Sequence, residues 1–170
     1  FSIVSVLSAQ IGPRSDRIAV DQFGYRTGDE KIAVISDPQV GYNAAENYAS
    51  GPSLELREWG SNALVVSAAA SPWNGGQQHD QSGDVVWWFD FSAITTTGSY
   101  YVHDPTNNTR SHRFEIDDCV YADVLTTALR AFYYQRCGTD KPAAYAGAGW
   151  SDPALCHVGT DQDLNCRLVT

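Results

Sequence analysis

The sequence of 170 residues contains no methionine, not even at position 1. The chain is therefore read as beginning after a processing event or as one piece of a longer product. Basic residues are also scarce, with 11 Lys and Arg against 20 Asp and Glu and a formal net charge of −9. A partner held mainly through phosphate contacts needs a basic surface, so this balance argues against nucleic acid. No run approaches the roughly 18 apolar residues of a membrane-crossing helix, and no membrane partner is expected. No Gly-rich phosphate loop occurs either.

What is present describes a chain that folds. Hydrophobic residues make up 43%, aromatics 12% and charged residues only 18%, a balance that supplies a core. The length fits one domain, or one domain and a piece, since domains cluster at about 100 to 150 residues. Phe1 to Ala9 is a short apolar run ending in small residues, which reads either as the remnant of a secretory signal or as an N-terminal strand or tag scar. Four cysteines and the sequon Asn107-Asn108-Thr109 permit an extracellular setting.

From Arg17 to Ile116 short strands alternate with turn residues. The expected strands are Arg17 to Gln22, Lys31 to Ile35, Ser53 to Glu58, Ala63 to Ser67, Asp84 to Phe91, Ser99 to His103 and Arg110 to Ile116, with a hairpin at Gly60-Ser61-Asn62. Such spacing predicts an immunoglobulin-like antiparallel β-sandwich. In the longest strand Val85, Trp87, Phe89 and Phe91 share one face, the core face, while Val86, Trp88 and Asp90 share the other. Trp88 is then either a sugar-stacking ring or a residue covered by a neighbouring domain, and domain packing is the favoured reading.

Beyond Ile116 the period changes. Asp117 or Asp118 can cap a helix from about Val120 to Arg136. Tyr121, Val124, Leu125, Ala128, Leu129 and Phe132 form an apolar stripe, opposite a narrow polar face of Asp123, Thr126, Thr127 and Arg130. One apolar helix cannot bury itself, so the chain is expected to end inside a second, helical domain. The expected organisation is an extension over residues 1–16, a sandwich over 17–116 and an incomplete second domain over 117–170.

Cys137, Cys156 and His157 lie just past that helix. Two thiolates and an imidazole suit a tetrahedral structural zinc, and a Cys137 to Cys156 disulfide with His157 on the surface is the alternative, slightly favoured by composition alone. Cys166 is open between a fourth ligand, a partner of Cys119 and a free thiol. Asp152, Asp161 and Asp163 lack the spacing of a calcium loop and read as solvated. His79, His103 and His112 have no Ser or Cys partner nearby in sequence, so a nucleophile triad has no local support. Trp73, in Trp73-Asn74-Gly75-Gly76, and Trp150 are loop tryptophans that serve either as sugar platforms or as core packing.

Several stretches together resemble a known family. Arg17 to Tyr25 (RIAVDQFGY), Lys31 to Ile35, Asp90-Phe91-Ser92 followed by Gly98 to Val102, and Phe114-Glu115-Ile116 resemble the N-terminal immunoglobulin-like module of family 9 glycoside hydrolases. Phe132 to Gly138 and Trp150 to His157 resemble the opening of that family's (α/α)6 barrel. The resemblance implies a mainly β chain, a sandwich followed by the first helix and zinc loop of a barrel that continues elsewhere. It implies structural zinc on Cys137, Cys156 and His157, reversing the preference for a disulfide, with calcium in the rest of the barrel as a further implication. Relatives commonly read Ser-His-Pro-Ala-Cys-His where this chain has Asp152 in place of His and an added Leu155.

The implied activity is hydrolysis of β-1,4-glucans with inversion by a secreted endoglucanase. An Asp from an Asp-Ala-Gly-Asp motif would activate water and a distant Glu would protonate the leaving oxygen. That motif is absent here, so no catalytic residue is assigned to this chain, and the remaining catalytic domain would be its partner. The competing reading is a non-catalytic carbohydrate-binding or structural module, with Trp73 or Trp88 on the sugar. The helix after Val120, for which a free-standing module has no use, favours the enzyme.

Overall fold

A computed structural model describes residues 11–136 and 138–152. The chain divides after Tyr121 into two compact units.

Among the described residues the first unit has nine strands: β1 (Ile18–Ala19), β2 (Ile32–Pro38), β3 (Leu54–Glu58), β4 (Leu64–Ala68), β5 (Ser71–Pro72), β6 (Asp84–Asp90), β7 (Gly98–Asp104), β8 (Thr109–Arg110) and β9 (Phe114–Ile116). One sheet has the order β1-β2-β6-β5 and the other β4-β3-β7-β8, with β9 also paired to β7. The expected alternation of β6 is observed. Phe89 and Phe91 are buried while Trp88 is 42% exposed, and Trp87 packs on the core from its flank. The first sheet contributes Ile18, Ala33, Ile35 and Phe89 to the core, and the second contributes Leu54, Leu56, Tyr100, Val102, Phe114 and Ile116.

The hairpin between β3 and β4 turns where Gly60-Ser61-Asn62 predicts it. Asn62 takes the left-handed conformation (φ 59°) that asparagine tolerates, and the Glu58 N–H donates to the Ala63 carbonyl at 3.0 Å. Two strands differ from expectation. β2 runs on from Ile35 to Pro38, which faces Asp84 at the end of β6, a strand end where the N–H that proline lacks is not needed. The strand expected over Arg110 to Ile116 is instead two. The buried Ser111 hydroxyl accepts the Val102 N–H at 2.9 Å and donates to the His112 carbonyl at 2.7 Å. A side chain thus takes the place of a ladder carbonyl and interrupts the pairing.

The second unit contains α1 (Ala122–Tyr134), the single turn α2 (Ala143–Ala146) and a 3-10 turn over Ala148–Trp150. α1 starts two residues later than expected because both candidate caps are used elsewhere. Asp118 Oδ1 accepts the Thr27 N–H at 3.1 Å and the Thr27 hydroxyl at 2.6 Å, and Asp117 Oδ1 accepts the Cys119 N–H at 2.7 Å. The apolar stripe of α1 is uncovered among the described residues, with Leu125 60%, Leu129 59% and Phe132 71% exposed.

Candidate functional site

The sequence from Asp21 to Lys31 is an anchor. Tyr25 is buried and meets Phe91 and Phe114 edge to face, at 5.3 Å each. Its hydroxyl donates to the Ile32 carbonyl and accepts the Asp21 N–H, both at 3.0 Å. Its backbone is bonded on either side, accepting from Asp117 at 3.0 Å and donating to Glu115 at 2.9 Å. Gly24 beside it has φ +106°, and a Cβ there would lie 2.4 Å from the Glu115 carbonyl oxygen, so only glycine fits. Lys31, fully buried, donates from Nζ to the carbonyls of Thr27 at 2.8 Å and Asp29 at 2.7 Å. These groups hold the sandwich's last strand against the loop that follows β1.

A second network lies at the end of β7. Asp104 is fully buried, yet among the described residues no cation pairs with it. Its carboxylate accepts from the Tyr48 hydroxyl at 3.0 Å, from the N–H groups of Gly51, Thr106 and Asn107 at 3.0, 2.9 and 3.1 Å, and from Asn107 Nδ2 at 2.8 Å. Burial works to raise its pKa, but these donors outweigh it and hold the carboxyl below its ordinary value. Burial pushes the Tyr48 hydroxyl up to about 12. Asn107 Nδ2 also donates to the Ala49 carbonyl at 2.8 Å. The nitrogen that a glycan would modify in the sequon is therefore committed to the fold on two sides.

The third feature faces outward. After β5 the chain makes a tight turn over Trp73–Gly76, in which Asn74, Gly75 and Gly76 have φ 46°, 68° and 81° in succession. This winds the segment back so that the Trp73 and His79 rings meet at 5.4 Å. Trp73, His79, Ser82, Val86 and Trp88 line a shallow cavity of about 260 Å³. Trp73 and His79 also border a second hollow of about 290 Å³ with Asn74, Gln77, Gln78, Asp80 and Gln81. The expectation that no histidine has a nearby serine partner is corrected here. Ser82 Oγ lies 3.2 Å from His79 Nδ1, which also accepts the Ser82 N–H at 3.2 Å. A His-x-x-Ser spacing inside a turn was the available signal. By accepting the Ser82 N–H at Nδ1, the ring becomes part of the hydrogen bonding that shapes the turn.

Of the other residues singled out, His103 Nδ1 lies 3.0 Å from Glu55 Oε2, to which Arg57 Nε donates at 2.7 Å. Trp150 is exposed and lies against Tyr134 at 5.7 Å. Cys119 is exposed. Cys137, Cys156, His157, Cys166, Asp161 and Asp163 lie outside the described residues. Among the described residues no group of three or more His, Cys, Asp and Glu side chains is arranged to hold a metal. No helix among them is long and apolar enough to cross a membrane.

Two antiparallel sheets packed face to face around Tyr25, Phe89, Phe91 and Phe114 define an immunoglobulin-like module. Residues 14–109 match the family described as the cellulase N-terminal ig-like domain, and the chain belongs to that family. It is 30% identical over 152 residues to a xyloglucan-specific endo-β-1,4-glucanase of Bacteroides ovatus, covering 86% of this chain and 23% of that protein. It is 35% identical over 135 residues to a cellulose 1,4-β-cellobiosidase of Acetivibrio thermocellus, covering 72% of this chain and 15% of that one. The chain thus spans less than a quarter of the length of these relatives. Among solved structures, a family 9 glycoside hydrolase of Bacteroides ovatus superposes with a TM-score of 0.63 at 26% identity over 82% of this chain and 22% of that one. A Zn-binding triple mutant of a family 9 endoglucanase superposes with a TM-score of 0.54 at 27% identity, over 71% of this chain and 20% of that one.

Proposed function

We propose that this chain is the N-terminal part of a secreted family 9 endo-β-1,4-glucanase that hydrolyses cellulose or related β-1,4-glucans with inversion. The observation that carries the reading is a sandwich of the cellulase family followed directly by α1, whose Leu125, Leu129 and Phe132 are exposed. A free-standing module has no use for such a helix, whereas the first helix of a barrel needs that stripe to meet its neighbours. The sandwich spans 17–116, and 117–170 opens the catalytic domain. The remaining polypeptide, as a separate chain or a further segment, covers the stripe and supplies both catalytic carboxyl groups, since an Asp-Ala-Gly-Asp motif is absent from this sequence. One, as a carboxylate, takes a proton from the attacking water, and the other, as a carboxylic acid, gives its proton to the leaving oxygen. The 170-residue chain alone is expected to release no reducing ends from carboxymethyl-cellulose, and to gain that activity with the remaining polypeptide. Hydrolysis by the chain alone would defeat the proposal.

Cys137, Cys156 and His157 hold one structural zinc in the same reading. Two thiolates and an imidazole are a fitting donor set, and a fourth ligand from the remaining polypeptide, or less favourably from Cys166, closes the tetrahedron and leaves no position for a reactive water, so its role is stability. Chelation is expected to lower the melting temperature of the complete protein while substrate affinity well below that temperature stays nearly unchanged. Metal analysis without zinc, together with a Cys137 to Cys156 disulfide in mass spectrometry, would replace the metal by a cross-link.

A further inference from the structure

We propose that the outer face of the β5–β6 edge is a binding site for a neutral β-1,4-glucan chain, with Trp73 and Trp88 as its two stacking platforms. The choice of a β-1,4-glucan rests on the functional reading above, while the site itself rests on geometry. Trp88 stands on the solvent face of a sheet, opposite Ser71 of the edge strand and Val34 of β2, and is 42% exposed. The three left-handed residues after Trp73 bring its ring to the rim of the same cavity. Leaving an exposed Trp88 and a half-buried Trp73 on one hollow costs stability, and a ligand that covers them recovers it.

The surrounding groups say which ligand. Asn74, Gln77, Gln78 and Gln81 surround the adjoining hollow with Asp80, and among the described residues neither hollow is lined by Lys or Arg. A phosphorylated or acidic ligand would find no counter-charge there. Planar side-chain amides, one carboxylate and an imidazole donate and accept in the pattern that hydroxyl groups require, and indole rings take the apolar CH face of a pyranose. β-Linked glucose, with its substituents equatorial, presents such a face on every ring, and the β-1,4 linkage keeps the chain flat enough to lie along a sheet. An α-1,4 chain curls away from it.

The test is a titration of the 170-residue chain with cellohexaose, followed by tryptophan fluorescence and calorimetry, with maltohexaose as the comparison. Cellohexaose should bind and shift the emission, and maltohexaose should not. Trp73→Ala and Trp88→Ala should each weaken binding by about threefold to tenfold. The exposed Gln78→Ala should weaken it less with an unchanged melting temperature, whereas Tyr42→Ala, which removes a fully exposed ring elsewhere on the sandwich, should leave it unchanged. Absence of binding by the folded chain overturns the site, as does equal affinity across all variants. A complete protein that cleaves glucan while its sandwich fails to bind cellohexaose would reject this site alone and leave the enzymatic reading standing.

Discussion

Tyr25→Ala is expected to destabilise the sandwich by about 3–5 kcal/mol, the cost of deleting a buried aromatic ring from a packed core. The ring is the edge-on neighbour of both Phe91 and Phe114, which also pack on each other at 5.4 Å, so its loss leaves both phenyl rings facing a void. Tyr25→Phe keeps those contacts and removes only the hydroxyl. That variant should lose about 1–3 kcal/mol, because the Asp21 N–H and the Ile32 carbonyl each lose a partner. Urea unfolding of the three proteins separates the packing contribution from the hydrogen bonds. Equal midpoints for Tyr25→Ala and the unaltered chain would mean that the core does not close around this ring.

Asp104→Leu should cost about 3–5 kcal/mol, since it strands several buried donors that now share one carboxylate. Asp104→Asn should cost less and carries a sharper test in its pH dependence. The folded protein holds the Asp104 carboxyl below its ordinary value, so the unfolded chain binds the proton more readily. The stability that this group contributes is complete above the ordinary aspartate pKa of about 3.9 and is lost as the pH falls through the lower, folded value. The difference in unfolding free energy between the unaltered chain and Asp104→Asn should be flat from neutral pH to about pH 5 and shrink below about pH 4. A difference that grows on acidification would reverse the assigned direction.

The sheets were legible in the sequence because they obey a period of two with one dry face. The β6 alternation placed Phe89 and Phe91 inside and Trp88 outside, and the Gly60-Ser61-Asn62 turn sits between the strands it was expected to join. Departures occur where a side chain competes with the backbone. Ser111 breaks what looks like one strand, and Asp117 and Asp118 satisfy a turn and Thr27 instead of capping α1. Periodicity carries no information about such rivals, which depend on partners as far as 91 residues away. The Asp104 cluster was invisible for the same reason, because its donors come from two loops flanking different strands. The Trp73 to Trp88 surface was half legible. Both tryptophans stood out as residues, but only the turn of consecutive left-handed residues brings them to one hollow.

The enclosure of Lys31 has a consequence for handling the molecule. The sequence has only two lysines, and the other, Lys141, is also buried, with its ammonium 3.8 Å from Asp152. Arginine therefore carries the positive charge that meets solvent, and its guanidinium group stays protonated and unreactive toward acylating agents. Reagents that seek primary amines, such as succinimidyl esters, aldehyde cross-linkers and amine-coupled supports, find no open lysine on the folded chain. Among the described residues, attachment chemistry directed at carboxylates, or at the exposed Cys119 thiol, is what this surface offers.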